Sequence, residues 1–171
     1  MPLPATPFFI HQQRAIHESL PGLLPRQRGT VLRLWLNNHH GHQIKTHWDG
    51  EETVTFFTPE PYHTSVPGYA YGGLIASLID CHSTGTAAAA MYRSEGREMD
   101  SLPPFRFVTG SLHVDYLKPT PIEGPLEIRG RVKEIKGRKV IVESTVSANG
   151  VVTARGEVVA VQMPESFGQA A

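Results

Sequence analysis

Toward the end of the chain, apolar and polar residues alternate with a period of two. Leu126, Ile128, Gly130 and Val132 alternate with Glu127, Arg129, Arg131 and Lys133, the pattern of a strand with one face buried and the other wet. Lys136-Gly137 and Asn149-Gly150 fall where tight hairpins need positive φ, flanking a strand over residues 140–147 and leading into another over 151–161. Between residue 72 and about residue 92 the period changes. No proline occurs there, and Leu74, Ile75, Leu78, Ile79, Ala88 and Ala89 recur near helical spacing. This is the one long helix, and its small residues (Ala76, Ser77, Gly85 and the alanines at 87–90) predict an element enclosed by others. Earlier, residues 31–36 and 53–57 read as strands joined by a polar, histidine-bearing turn. Residues 59–71 carry the turn-formers Pro59, Pro61 and Pro67-Gly68 and read as a long loop, a kind of segment often used to position functional groups.

The element order is two strands, one buried helix and about four antiparallel strands, an α+β pattern. It fits a sheet wrapped around its helix, and it also fits a helix lying on one open face of a sheet. A chain of 171 residues fits a single domain with a proper core. Residues 1–25 hold five of the fourteen prolines, and the run 11–20 reads as one short helix stopped by Pro21-Gly22. The expected division is an N-terminal appendage over 1–30, the domain over 31–165 and a tail over 166–171.

Sixteen basic and sixteen acidic side chains cancel, so no bulk attraction to nucleic acid or to an anionic membrane is expected, and an anionic ligand must be held by local groups. One cysteine, Cys81, excludes an intrachain disulfide and fits a reducing compartment. No apolar stretch approaches the roughly 20 residues that cross a bilayer, and the proline-rich start carries no export signal. A soluble, cytoplasmic protein is the expectation.

The chemistry concentrates between Tyr69 and Asp80. Gly72 and Gly73 at a helix start let a ligand approach the backbone, where unpaired amides and the helix dipole favour developing negative charge. Asp80 follows two turns later among apolar and small residues, where a carboxylate is costly unless solvated or paired. The plainer reading makes Gly72-Gly73 a close-packing device and Asp80 a structural hydrogen-bond acceptor. Seven residues of helix separate Gly73 from Asp80 by about 10 Å along the axis, at roughly 1.5 Å per residue. Both cannot easily act on one carbonyl, since each must come within roughly 3 Å of the reacting atoms. A two-fold dimer with facing helices solves this by setting Asp80 of one copy opposite Gly73 of the other.

The run Tyr71-Gly72-Gly73 through Asp80 resembles the His-Gly-Gly-x6-Asp signature of the PaaI-like and THEM-type acyl-CoA thioesterases. Residues 111–119, Ser-Leu-His-Val-Asp-Tyr-Leu-Lys-Pro, resemble the strand that follows in that family, and the likeness runs from about residue 32 to 163. The resemblance implies a hotdog fold, in which a curved antiparallel sheet wraps one long central helix, and a dimer or dimer of dimers with shared sites. It also implies hydrolysis of an acyl-CoA substrate without a further cofactor, CoA being part of the substrate. The Gly73 amide would polarise the thioester carbonyl, with Gly72 beside it, and Asp80 would act as nucleophile or as general base. Thr109 matches the position of a Ser or Thr that orients the water or the carboxylate; alternatively it is an ordinary strand threonine. Two departures stand out. Tyr71 replaces the family's histidine and cannot titrate near neutrality. Ser65 stands where many relatives carry asparagine, with His63 close by as a possible substitute or a plain loop histidine.

Lys136, Arg138 and Lys139 cluster at a hairpin, either to meet the CoA phosphates or simply as solvated charge. His39, His40, His42 and His47 lack carboxylate or thiolate partners at helix spacing and read as a solvated turn, so no metal is expected. Cys81 and His82, adjacent on a helix, point about 100° apart and do not pair; Cys81 is expected to be packed and inert, while Ser77, Ser83 and Thr84 pack the helix. No Gly-x-Ser-x-Gly elbow supports a serine hydrolase. The rival readings are a hotdog hydratase or dehydratase, and a non-catalytic acyl-CoA-binding protein favoured by Tyr71.

Overall fold

Residues 32–33, 41–99 and 101–164 are described by the structure, a computed structural model. Among the described residues, nine strands and one α-helix form the fold. Strands β1 (Leu32–Arg33), β2 (Lys45–Asp49) and β3 (Glu52–Phe57) come first, then a small hairpin, β4 (Thr64–Val66) with β5 (Tyr69–Ala70). Helix α1 (Gly72–Ser94) is followed by β6 (Phe107–Tyr116), β7 (Leu126–Lys136), β8 (Lys139–Ala148) and β9 (Val151–Gln162). The large sheet is antiparallel, in the order β1-β2-β3-β7-β8-β9-β6, and α1 lies against its four C-terminal strands.

The alternation seen along residues 126–133 becomes the inner face of β7. Leu126 and Ile128 are fully buried and meet Leu74, Ile75, Leu78 and Ile79 of α1, with Val140, Val142, Val146, Val158 and Ala160 completing the core. The two expected hairpin turns occur where positive φ was required, at Gly137 (φ 58°) and at Asn149-Gly150 (φ 51° and 75°). Gly156 on β9 keeps the sheet close to the helix: a methyl group there would stand 2.6 Å from Ile79 Cγ2.

One layer of the interior is polar. His82, fully buried, joins Thr53 through Nε2 at 3.1 Å and Thr55 through Nδ1 at 3.0 Å. Thr53 Oγ1 lies 2.6 Å from Thr86 Oγ1, and Thr53 also donates to the Gly130 carbonyl. The cluster is closed, since no buried side-chain nitrogen or oxygen among the described residues lacks a partner.

Three expectations need correction. Where a polar turn was expected before residue 53 there is a strand, β2, and His47 sits on it. Its inward residue is Thr46, buried and paired by its hydroxyl with Thr55, so the core position is polar and the period of two is hidden from an apolar pattern. The 59–71 segment is not a plain loop: a single 3₁₀ turn, Pro61–His63, leads into the β4–β5 hairpin, turned by Gly68 at φ 86°. Finally, α1 is not enclosed on every side. Gly72 and Gly73 are exposed, and Ala76, Ser77, Asp80, Cys81 and Thr84 are half-buried along the side turned away from the core. The expected helix at 11–20, most of the strand at 31–36 and the tail at 166–171 lie outside the described residues.

Candidate active site

Helix α1 begins at two exposed glycines because the chain enters it extended, with Tyr71 at φ −74°, ψ 147° and no side chain capping the first amides. The first intrahelical bond runs from the Leu74 N–H to the Tyr71 carbonyl at 3.0 Å, which leaves the Gly72 and Gly73 amides ahead of the ladder. The space beside the glycines is tight. A methyl group on Gly72 would meet the Tyr116 ring at 3.3 Å, and one on Gly73 would meet the Tyr71 ring at 3.0 Å. Tyr116 ties β6 to the helix start by donating its hydroxyl to the Gly72 carbonyl at 2.8 Å. An open cleft of about 280 Å³ begins here, between Gly72, Ile75, Tyr116 and Lys118.

Asp80 lies on the half-buried side of α1 and accepts a hydrogen bond from the Thr109 hydroxyl of β6. A β-bulge aims that hydroxyl. Thr109 pairs with Ala160 and Ser111 with Val159, so Gly110 is the extra residue and the inward parity of β6 changes across it. Phe107 and Thr109 face the helix before the bulge; Val114, packed against the core, and Tyr116 face it afterwards.

His63 is buried, and its Nδ1 accepts the Glu60 N–H at 2.9 Å, which puts the ring proton of the neutral form on Nε2. Its carbonyl accepts the Tyr71 N–H at 3.0 Å, so the residue pins the entry into the helix. Around it gather Tyr62 (4.4 Å between ring centroids), Phe57 (5.6 Å), His42 (6.2 Å) and Tyr71 (6.3 Å). Ser65 is exposed on β4 and takes no part in this cluster.

Lys136 and Lys139 face each other across the β7–β8 turn, and among the described residues neither they nor Arg138 forms an ion pair. The Arg138 guanidinium donates to the Gln162 carbonyl and so fastens the end of β9. Lys139 is in register with Val161, and Val161 with Val108, which places this cationic turn two strands, about 10 Å, from the row beside Thr109.

The sequence did not single out Arg106, and its reading of His42 as part of a solvated turn is corrected: His42 is half-buried against α1. The His42 ring Nε2 is 2.9 Å from Ser77 Oγ, and the ring packs edge-on against Phe57. Its pKa is lowered by burial and then by neighbouring His63, which favours the neutral ring. Nothing local to residue 42 announces this, but Ser77 follows Gly73 by four residues and precedes Asp80 by three, a spacing that marks a shared helix face. Arg106 stands just before β6, its carbonyl accepting the Met163 N–H at 2.8 Å, and adds a cation at the Thr109 end of the sheet. Cys81 is half-buried; burial, followed by the Asp80 charge, raises its thiol pKa. Among the described residues no three His, Cys, Asp or Glu side chains converge as metal ligands, and no helix is long and apolar enough to cross a membrane. A larger cleft, about 390 Å³, lies by Trp48, Arg93 and Arg131 and holds none of the residues above.

The family model described as the thioesterase superfamily matches residues 67–154, a span that includes Gly72, Gly73, Asp80 and Thr109. A crystal structure of a thioesterase superfamily protein from Shewanella loihica is 48% identical over 75% of this chain and 97% of that one, with a TM-score of 0.61. This chain belongs to the thioesterase superfamily. It has the hotdog architecture and is of the PaaI/THEM type. Among curated proteins, the acyl-coenzyme A thioesterase THEM4 of Xenopus laevis is 37% identical over 87 residues, 51% of this chain and 33% of that protein. The chain thus spans about a third of the length of that relative. The Escherichia coli PaaI structure shares the fold at 13% identity and a TM-score of 0.58, over 72% of this chain and 81% of that one.

Proposed function

We propose that this superfamily member hydrolyses an acyl-CoA thioester to the free acid and CoA. The observation that carries the reading is Asp80, held by Thr109 on the same helix that opens with the uncapped Gly72 and Gly73 amides. As general base, Asp80 takes a proton from water while the water oxygen attacks the thioester carbon. The carbonyl oxygen gathers negative charge against the Gly73 amide, with Gly72 beside it. When the carbonyl re-forms, the carbon–sulfur bond breaks, and CoA leaves as a thiol with the proton returned. As nucleophile, Asp80 instead attacks the carbon itself, the carbon–sulfur bond breaks to release CoA as a thiolate that takes up a proton, and water then cleaves the acyl-aspartyl anhydride to the free acid and the Asp80 carboxylate.

The two groups come from different subunits in this proposal, because about 10 Å of helix separates them within one. The free edge of β6 supports such a pairing. On its helix-facing side beyond the bulge, Leu112 and Tyr116 are 39% and 55% exposed, an apolar edge that a second copy would cover. Tyr71 and His63 would shape the acyl end, with Ser65 at its outer rim, and Lys136, Arg138 and Lys139 would meet the CoA phosphates.

Release of free thiol from a panel of acyl-CoA thioesters tests the reading. Asp80→Ala and Asp80→Asn should abolish release while leaving acyl-CoA binding in place. An unchanged low background in both variants, with binding retained, would instead make this a binding protein. Loss of the enoyl-CoA absorbance without free thiol would make it a hydratase.

A further inference from the structure

We propose that Ser77 is a further substrate-contacting residue and that His42 is the positioning residue that holds it; the proposal rests on the thioesterase reading. Residues 73, 77, 80 and 84 fall within about 60° of one another on a helix turning roughly 100° per residue, so Ser77 shares one stripe with Gly73 and Asp80. That stripe is exposed at Gly73 and half-buried at Ser77, Asp80 and Thr84, unlike the core-facing side. Ser77 stands about 6 Å beyond Gly73 and about 4.5 Å before Asp80 along the axis.

When the Asp80 of one subunit opposes the partner's Gly73 on an antiparallel helix, the midpoint of the pair falls between residues 76 and 77. Each Ser77 hydroxyl is then one turn from the reacting carbonyl, beside the atoms bonded to it. A serine hydroxyl offers one donor and two acceptor sites; the bond to His42 Nε2 takes one and the bond to the Cys81 thiol, one turn on, takes another, which leaves one for substrate. The bond spans 35 residues of sequence, joining the segment before β2 to the middle of α1, and the ring is braced by Phe57. Such a brace fixes the serine rotamer, which a solvent-facing helix serine would not need.

The test uses the full chain with two readouts: thiol release from hexanoyl-CoA, and affinity for its non-hydrolysable thioether analogue. Ser77→Ala should lower kcat/KM about tenfold. His42→Ala should match that loss, His42→Gln should recover most of it, and the double variant should be no worse than Ser77→Ala alone. Ser77→Ala within twofold of the parent in both readouts overturns the proposal. So do losses from Ser77→Ala and His42→Ala that multiply, since they would show the two residues acting separately. If the parent binds the analogue without releasing thiol, the hydrolytic reading falls, and the effect of Ser77→Ala on affinity still decides the role of Ser77. A parent that neither binds nor hydrolyses overturns both.

Discussion

Thr109 donates its hydroxyl proton to the carboxylate of Asp80, linking the edge strand β6 to the middle of helix α1. The bond requires the bulge at Gly110, which turns Thr109 inward while Val114 and Tyr116 further along the strand also face the helix. If the carboxylate must point at water or at a carbonyl carbon, its rotamer depends on this donor. Thr109→Val should therefore lower kcat for thioester hydrolysis by about ten- to a hundredfold, the weight of one hydrogen bond to a charged group. Thr109→Ser should restore most of it. Steady-state kinetics on the two variants, with thermal unfolding as a control for folding, checks the outcome; equal activity in Thr109→Val and the parent contradicts the assignment.

The buried layer around His82 predicts how stability depends on pH. Burial lowers the pKa of His82 from 6.5 to about 3, with a hydrogen bond donated by the ring to the Thr53 backbone working in the opposite direction. The folded state therefore refuses a proton that the unfolded state takes up below pH 6.5. This contribution is complete above pH 6.5 and is lost as pH falls toward 3, with about 2 kcal/mol gone by pH 5 at roughly 1.36 kcal/mol per pH unit. Denaturant unfolding at pH 7 and pH 5 measures it. His82→Gln, which keeps hydrogen-bonding groups but does not titrate, should show a smaller difference between the two pH values; an unchanged difference places the acid sensitivity elsewhere.

Gly130 closes the same layer from the β7 side. A methyl group there would stand 2.8 Å from Thr86 Oγ1, 2.9 Å from His82 Nε2 and 2.9 Å from Thr53 Oγ1. All three atoms belong to a closed network, so none yields without breaking a bond. Gly130→Ala should cost about 1–3 kcal/mol by overpacking, read as a lowered unfolding midpoint. A midpoint equal to that of the parent shows that the layer has room.

Residue 130 also shows where sequence patterning stops. Its place in the alternation with Ile128 and Val132 identified the inner face of β7, and the same logic located α1, both hairpin turns, and the Gly72, Gly73 and Asp80 register. The period of two carried no reason for a glycine at that position, because the reason is a histidine 48 residues away on the helix. Strand β2 was hidden for a related cause: Thr46 fills a core position with a hydroxyl that pairs with Thr55. The bond between His42 and Ser77 is a long-range contact with no local pattern. Resemblance brought Thr109 into the site; its meeting with Asp80 depends on a bulge that one sequence does not announce.

Complementation between two inactive variants tests the shared site without reference to any particular acyl group. Asp80→Asn removes the carboxylate from one subunit, and Gly73→Val obstructs the amide on the other by pressing a side chain into the space beside the Tyr71 ring. Each homodimer should be inactive. In a mixed dimer, the Asp80→Asn subunit supplies an intact Gly73 to the intact Asp80 of its partner, while the second site carries both lesions. Random re-association makes about half the dimers mixed, each with one working site of two, so the mixture should regain about a quarter of parent activity. Unfolding and refolding the variants together, beside each refolded alone, supplies the comparison. No recovery from a mixture shown to contain mixed dimers would place the acid and the oxyanion donor within a single subunit, against the separation along α1 that sets Gly73 and Asp80 apart.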